Sequence, residues 1–312
     1  MFNSFFENNI EKKTIFRTIA IEFLNPSTKR NFLIYINFKK IFSKLSFKNL
    51  LLTFEGFSWE RLVLSACNDV DEKVNRIGYQ FAGITKGQHS ILRKLENKFD
   101  PDVIYTCGGI TKKILRKNLK KKKIFLIGSE RAIEKINLKN KKKLKKITCL
   151  VVPEGIIKEC NLIFKFSVKC AKIYPEIDFI FRSHPSYNIK NDLKDLGIPD
   201  KIPNNIILSK NTLKNDIKKS NLCFYRGSTS VITALQDGVY PLYLNLGEKM
   251  NIDPLYLMKF WKTEINNIAD FEKFISNGLS KKFKQFKKQA KAINFSRKYF
   301  MKFNKYNALR ML

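Results

Sequence analysis

Short apolar runs rich in β-branched and aromatic residues alternate along the chain with stretches that repeat their apolar residues every three or four positions. Runs of the first kind predict strands, and stretches of the second kind predict amphipathic helices. The predicted strands cover residues 50–54, 76–80, 103–107, 123–128, 147–152, 179–183, 206–208, 222–225 and 240–245. The predicted helices cover residues 58–68, 88–97, 110–117, 157–173, 213–220, 229–237 and 280–300.

Strands that alternate with helices favour βαβ units and parallel sheets. Two such blocks follow one another, separated by a lysine-rich interval at 136–146 with almost no apolar residues. Like charges repel, so this interval indicates a solvated linker, and the alternative is a basic tract that binds nucleic acid. The pattern predicts an α/β protein with two Rossmann-like domains, over residues 1–138 and 147–312, whose parallel sheets face each other across a cleft.

The composition is strongly basic: the 312 residues include 60 Lys and Arg against 27 Asp and Glu, a net charge of +33. The hydrophobic share of 44% is sufficient for two buried cores and argues against a disordered chain. The charge is compatible with nucleic acid, an anionic membrane surface or a phosphate-bearing ligand. However, the excess is mainly lysine, alongside abundant Asn, Ile and Phe, which compositional drift also produces. The basic runs at 117–123 and 139–146 contain no aromatic residue, which disfavours nucleic acid as a partner.

The six cysteines lie in apolar runs and form no CxxC pair, so we expect buried reduced thiols. Nothing in the sequence resembles a signal peptide or a membrane span, which predicts a cytoplasmic protein. The basic segment 280–300 places Phe283, Phe286, Ala290 and Ile293 at helical spacing. We expect this stripe to pack on the body of the protein, and the alternative is a helix lying on the inner face of an anionic membrane.

The segment that follows the predicted strand 222–225 has the composition of an anion site. It consists of Arg226, Gly227, Ser228, Thr229 and Ser230 and leads into a helix. The free N–H groups and the dipole of a helix start attract phosphate, and the hydroxyl groups add hydrogen bonds. The alternative is that Ser228 only caps its own helix.

A second strand end carries Arg182, His184 and Pro185. Ligands of open α/β sheets bind outside the carboxyl ends of the strands. An imidazole at that edge can donate a hydrogen bond to phosphate or act as an acid. We therefore expect these three residues to line the same phosphate site, and the alternative is an ordinary surface histidine.

The first half of the chain offers a candidate base. Glu55 follows the predicted strand 50–54, and a carboxylate there can take a proton from an acceptor hydroxyl, especially if burial raises its pKa. Glu60, Gln80 and His89 are candidates for the same acceptor side. The alternatives are that Glu60 only favours the helix dipole and that the loop carrying His89 is a flexible connection.

No bound metal is expected. Asp69 and Asp71 match a DxD metal signature but follow a predicted helix rather than a strand, and His and Cys do not cluster at metal-ligand spacing. The chain also lacks GxxxxGK[ST], GxSxG and a full GxGxxG. These absences argue against ATPases, α/β-hydrolases and dehydrogenases.

Three short motifs occur in a recognisable order. They are Glu55-Gly56, His184-Pro185 and Ser228-Thr229-Ser230. In this order they resemble the D/E-D/E-G, HP and Ser/Thr-Ser motifs of bacterial GT-B glycosyltransferases of surface-polysaccharide synthesis, in particular the sialyl- and polysialyltransferase-like groups that use CMP-sugars. The resemblance spans roughly residues 50–246, and Phe54 stands where the first motif has an acid.

The resemblance implies a metal-independent transfer from a nucleotide-activated sugar, preferably a CMP-sugar, to a surface-glycan or lipid-linked acceptor. The donor phosphate would lie at His184 and residues 228–230 in a C-terminal nucleotide-sugar domain, and Glu55 would be the general base in an N-terminal acceptor domain. No cofactor beyond the donor substrate is implied. The alternatives are a CDP-glycerol-type glycerophosphotransferase, a nucleotide-sugar epimerase with two Rossmann-like domains, and a non-catalytic protein that binds nucleic acid or another anion.

Overall fold

The computed structural model describes residues 10–132, 146–185, 202–247 and 251–309. Two parallel sheets, of four and six strands, with helices around them confirm the expected α/β architecture of two Rossmann-like domains. The expected linker at 136–146 lies outside the described residues except for Lys146.

The N-terminal half contains a parallel sheet in the order β1-β2-β3-β4. Its strands are β1 (Asn49–Thr53), β2 (Asn75–Gln80), β3 (Val103–Thr106) and β4 (Lys123–Leu126). Its helices are α1 (Ile10–Leu24), α2 (Pro26–Phe42), α3 (Ser58–Val70) and α4 (Gly109–Asn118). The pattern of the sequence did not predict α1 or α2.

Helix α2 is fixed on α3 by apolar and polar contacts. Phe42 packs in a buried cluster with Val63 and Cys67 of α3. The Tyr35 hydroxyl donates a hydrogen bond to Oδ2 of Asp69 at 2.6 Å. The DxD match therefore lies at the end of a helix, where one of its carboxylates contacts a neighbouring helix.

The C-terminal half contains a parallel sheet in the order β10-β9-β8-β5-β6-β7. Its strands are β5 (Thr148–Val152), β6 (Asp178–Phe181), β7 (Ile206–Leu208), β8 (Leu222–Tyr225), β9 (Tyr240–Leu244) and β10 (Thr263–Ile265). Its helices are α5 (Ile157–Ile173), α6 (Leu213–Lys218), α7 (Ser230–Gln236), α8 (Ile268–Lys273), α9 (Leu279–Phe283), α10 (Phe286–Arg297) and α11 (Lys305–Leu309).

The central strands of this second sheet are buried along their whole length. Every residue of β5, β8 and β9 is buried, as expected for parallel strands that are covered on both faces. All six cysteines are buried free thiols, which confirms the expectation from their apolar surroundings.

The end of the chain returns to the N-terminal half. The amide of Ile110 donates a hydrogen bond to the carbonyl of Lys298 at 3.1 Å, and the amide of Met301 donates to that of Cys107 at 3.0 Å. The amide of Ser129 donates to the carbonyl of Met301 at 2.7 Å. Backbone hydrogen bonds between segments far apart in sequence therefore join the two halves.

Residues 88–97 are not a helix, contrary to the prediction. Only the single turns Ser90–Leu92 and Asn97–Phe99 are helical there, and both are 3-10. The guanidinium of Arg61 donates hydrogen bonds to the carbonyls of Ser90 and Arg93 at 2.8 and 3.0 Å. Asp100, the buried ion-pair partner of Arg61, accepts the amide of Leu95 at 3.1 Å. A buried ion pair thus takes the backbone groups that a helix would have used.

The predicted helix 280–300 is divided into α9 and α10. The indole of Trp261 donates to the carbonyl of Lys282 at 3.4 Å near the break, and α10 buries Ala292 and Ile293. The expected packing of the apolar stripe is correct for Phe283, which packs against the core, and for Ile293, which is buried. It is wrong for Phe286, which is 72% exposed, and for Ala290, because the helix turns a different face to the body after the break.

Among the helices of the described residues, none combines the length and the apolar character that a membrane span requires.

Candidate functional site

Glu55 lies two residues beyond the end of β1 and is 5% exposed. Its Oε2 accepts a hydrogen bond from Nε2 of Gln88 at 2.8 Å, and its Oε1 accepts one from the amide of Ala82 at 3.3 Å. Burial raises the pKa of this carboxyl, and the hydrogen bonds only partly oppose that rise. Glu55 is thus a fixed carboxyl group that is more basic than an exposed glutamate.

Glu60 caps the start of α3. Its Oε2 accepts the amides of Glu55 and Phe57 at 2.9 and 2.8 Å, which satisfies two backbone donors in front of the helix. This arrangement gives Glu60 a structural role and orients the backbone at Glu55.

The other acceptor-side candidates lie in different surroundings. Gln80 is fully buried, where its amide nitrogen donates to the carbonyl of Ala82 and its Oε1 faces Sγ of Cys107 at 3.6 Å. His89 is exposed and precedes the turn Ser90–Leu92. The structure brings neither imidazole nitrogen of His89 into a described hydrogen bond with Glu55.

Arg182 and His184, which follow β6, were both predicted to line the phosphate site, but they lie in different surroundings. Arg182 forms an ion pair with the buried Asp216 at 2.6 Å and donates to the carbonyl of Asn211 at 2.7 Å. The imidazole of His184 lies against the loop after β5, because a Cβ on Gly155 would be only 2.9 Å from its Cε1. Arg182 is therefore held by α6 and the segment in front of it, whereas His184 lies beside the loop that follows β5. Pro185, next along the chain, is exposed.

Glu154, in that same loop, was not identified from the sequence. A Cβ on Gly227 would lie 2.0 Å from its Oε2, so the carboxyl lies directly on the Gly227 backbone. Burial and the neighbouring carboxyl of Glu159 raise the pKa of Glu154 to about 7, although Arg226 and the Gly227 amide act in the opposite direction. Its Oε1 is buried and has no hydrogen-bond partner among the described residues.

Arg226 is almost fully buried and forms an ion pair with Glu159. It also donates a hydrogen bond to the carbonyl of Leu244 at 2.6 Å. The guanidinium of Arg226 thereby neutralises the charge of Glu159. The adjacent carboxyl of Glu154 forms no such ion pair among the described residues and holds a proton near neutral pH.

The helix after this segment begins later than expected. It starts at Ser230, and Thr229 rather than Ser228 is its N-cap residue, without a capping side-chain hydrogen bond. The alternative that Ser228 caps its own helix is therefore wrong. The side chain of Thr229 instead accepts a hydrogen bond from Arg131, which follows β4 in the N-terminal half, at 2.9 Å. The Arg131 guanidinium also lies 4.1 Å from the ring centroid of Phe300.

A second contact between the halves lies beside the first. A Cβ on Gly83 would be 3.4 Å from Cγ2 of Thr229 and 3.3 Å from Cδ1 of Ile232. Gly83 follows Ala82, whose amide binds Glu55. Contacts thus connect Glu55, through the loop after β2, to residues 227–229 and onward to Glu154 and His184.

No group of three or more His, Cys, Asp or Glu side chains in the described part of the chain is arranged to hold a metal ion.

The sequence matches no protein-family model and no curated protein. The fold, however, is similar to solved structures of nucleotide-sugar enzymes. A UDP-GlcNAc 2-epimerase from Methanocaldococcus jannaschii, in complex with UDP-GlcNAc and UDP, superimposes with a TM-score of 0.54 at 14% identity, over 82% of this chain and 75% of that one.

Two bacterial structures show a comparable likeness. The UDP-GlcNAc 2-epimerase from Neisseria meningitidis, bound to UDP-GlcNAc, has a TM-score of 0.53 at 13% identity and covers 92% of this chain and 82% of its own. The S. aureus MnaA–UDP co-structure has a TM-score of 0.55 at 12% identity, with coverages of 92% and 80%. At such identities the likeness establishes the fold: a GT-B-like pair of Rossmann-like domains.

Proposed function

We propose that this protein binds a nucleotide-activated sugar at the carboxyl ends of its two sheets and transfers the sugar to an acceptor hydroxyl without a metal ion. The motif resemblance favours a CMP-sugar as donor and a surface glycan as acceptor. Glu55 is the proposed base, and His184 with residues 226–230 is the proposed phosphate site.

One observation supports this proposal most directly. Two carboxyl groups with raised pKa values, one from each half, are connected to residues 227–229. Glu154 lies on the backbone of Gly227, and Glu55 binds the amide of Ala82, whose neighbour Gly83 faces Thr229. Pairs of acids with perturbed pKa values at the mouth of parallel sheets are typical of catalytic sites. Arg131 adds a positive charge to the same place through its hydrogen bond with Thr229.

The proposed chemistry assigns each carboxyl group one task. The acceptor oxygen forms a bond to the anomeric carbon while its proton passes to Glu55, and the bond from that carbon to the donor phosphate breaks with its electron pair on the phosphate oxygen. Glu154, which holds a proton near neutral pH, can donate it to the departing phosphate. A phosphate at the Gly227 amide either displaces the Glu154 carboxyl or meets it in its protonated form.

The experiment is a thermal-shift screen of the full chain with CMP, CDP, UDP and GDP and with sugars linked to them. A ligand that binds only the folded state raises the melting temperature. We expect stabilisation by one nucleotide class, reduced in His184→Ala and retained in His89→Ala, an exposed histidine in the other half. No stabilisation by any nucleotide contradicts the proposal.

Nucleotide-sugar epimerisation is a second candidate, favoured because the fold resembles that of UDP-GlcNAc 2-epimerases and because two acids lie at the site. An epimerase needs no acceptor and exchanges the proton on the inverted carbon with solvent. Incubation with UDP-GlcNAc alone in deuterated water distinguishes the two functions. Inversion at C2 with deuterium uptake, followed by NMR, supports epimerisation, whereas a requirement for an added acceptor supports transfer.

A further inference from the structure

Helix α1 projects an apolar stripe into solvent. Each side chain from residue 12 to residue 24 is exposed. Ile15, Ile19 and Phe23 recur every four residues, which places them on one face of the helix, and they are 55%, 54% and 80% exposed. Single exposed apolar residues are common on protein surfaces, but a stripe of this kind indicates a surface that another molecule covers.

The neighbouring helix α2 extends this surface. It contacts α1 and exposes Phe32, Leu33 and Ile41 at 59%, 48% and 47%. Its opposite side packs on α3, so the hairpin is attached to the body while its outer side chains stay in solvent. We use the name helical hairpin for α1 and α2, residues 10–42.

The positive charge of this region indicates which kind of partner would cover the exposed apolar residues. Residues 10–48 carry nine Lys and Arg against two Glu, and all nine basic side chains are exposed. A second copy of the chain would bring the same positive charge to the interface and be repelled. A nucleic acid would attract the lysines but would leave the apolar stripe in water. An anionic lipid surface satisfies both features, because its phosphates attract the basic groups while its acyl region receives the apolar ones.

We propose that the helical hairpin is a docking surface for a bilayer of anionic phospholipids. Ile15, Ile19 and Phe23 enter the boundary between headgroups and acyl chains, and the surrounding lysines and arginines contact lipid phosphates. This assigns membrane contact to the N-terminal helices rather than to the basic segment 280–300. The inference does not depend on the proposed enzymatic function.

The test is co-sedimentation of the full chain with vesicles of phosphatidylcholine alone and with vesicles that also contain phosphatidylglycerol. We expect binding to the anionic vesicles that decreases with added salt. Phe23→Glu should lower the bound fraction by roughly tenfold, because it places a charge in the apolar stripe. Phe286→Glu is the matched control, since Phe286 is a similarly exposed phenylalanine on the basic helix α10, and it should bind like the wild type. Circular dichroism and melting temperatures check that both variants fold.

Three results would overturn the proposal. Equal binding to neutral and anionic vesicles removes the electrostatic part of the argument. Loss of binding in Phe286→Glu but not in Phe23→Glu assigns the membrane contact to the C-terminal helices. A dimer detected by light scattering that Phe23→Glu dissociates, with no vesicle binding by the wild type, assigns the hairpin to a second copy of the chain.

Discussion

Arg131 and Thr229 join the two halves of the protein at the candidate site. The guanidinium of Arg131, in the loop after β4, donates a hydrogen bond to Oγ1 of Thr229 at 2.9 Å, immediately before α7. The two residues are 98 positions apart in the sequence. The residue that precedes the start of α7 is therefore held by a charged group from the opposite half.

This hydrogen bond should appear as an energetic coupling between the two side chains. We expect Arg131→Ala to lower the free energy of unfolding by about 1–3 kcal/mol, since it loses both the hydrogen bond and the contact with Phe300. A double-mutant cycle with Thr229→Ala, measured by chemical denaturation, should give a coupling of about 1 kcal/mol. Thr233→Ala, one helical turn further along α7, is the control and should be additive with Arg131→Ala.

The C-terminal segment packs closely against Gly108 but not against Gly109, so alanine substitutions at these adjacent glycines should change stability differently. A Cβ on Gly108 would lie 2.0 Å from the carbonyl oxygen of Tyr299, whereas the nearest atom to a Cβ on Gly109 is Sδ of Met301 at 3.7 Å. Gly108→Ala should therefore lower the free energy of unfolding by about 1–3 kcal/mol. Gly109→Ala, at the first residue of α4, should leave it unchanged or raise it slightly, because alanine favours helix. Equal melting temperatures for the two variants would contradict this interdomain contact.

Glu154 should make the stability of the protein depend on pH. Its pKa rises from an ordinary value of 4.5 to about 7, chiefly because of burial and then because of Glu159. Between these two values the folded protein holds a proton that the unfolded chain has released, so the free energy of unfolding falls as the pH rises through this window.

Glu154→Gln removes this titration. We expect the free energy of unfolding of the variant to exceed that of the wild type by about 1 kcal/mol at pH 8, a figure reduced for the partial exposure of the carboxyl. At pH 4.5 the two free energies should differ little. Urea denaturation at several pH values measures the difference. Glu176→Gln, which removes an exposed carboxyl from the same half, is the control. Parallel stability curves for the wild type and Glu154→Gln would show that the carboxyl does not titrate in this range.

Glu55→Gln should separate catalysis from donor binding. The amide keeps an oxygen that can accept the Ala82 amide, but it cannot take a proton from an acceptor hydroxyl. We expect turnover to fall by about 10²–10⁴-fold while the thermal shift with the nucleotide is retained. Unchanged turnover would exclude Glu55 as the base.

Glu60→Ala provides the contrast to that variant. Glu60 accepts the amides of Glu55 and Phe57, so removing its carboxyl group should lower the melting temperature with a loss of about 1 kcal/mol. Turnover measured well below the melting temperature should remain near that of the wild type. A loss of turnover as large as that of Glu55→Gln would show that Glu55 and Glu60 are both needed for catalysis.

The strands β1 to β9 were predicted from sequence to within a few residues, because a buried parallel strand is a continuous apolar run that is visible locally. The short edge strand β10 (Thr263–Ile265) was not predicted. The bounds Ile206–Leu208 and Leu222–Tyr225 are those predicted. The helical hairpin was missed, since α1 carries further apolar residues, Phe16, Ile21 and Leu24, outside the stripe of Ile15, Ile19 and Phe23, and these obscure its helical periodicity. The helix expected at 88–97 failed because Arg61 and Asp100 take its backbone groups.

The site was predicted in part. Polar residues at strand ends led to Glu55, His184 and residues 226–230, whose roles as base and phosphate ligands stay predictions. The same rule could have found Glu154 and Arg131, which follow β5 and β4. What the sequence could not indicate was their partners, since Gly227 and Thr229 approach them only after both halves have folded.

The sequence by itself determined the α/β class, the two parallel sheets and the edges at which polar side chains collect, because these follow from local periodicity and from the rule that parallel strands end at one edge. Only the tertiary structure decided that Gly108 must have no side chain and that Glu154 holds a proton near pH 7. Steric exclusion and desolvation depend on which distant groups come into contact, and the local sequence around a residue does not indicate those contacts.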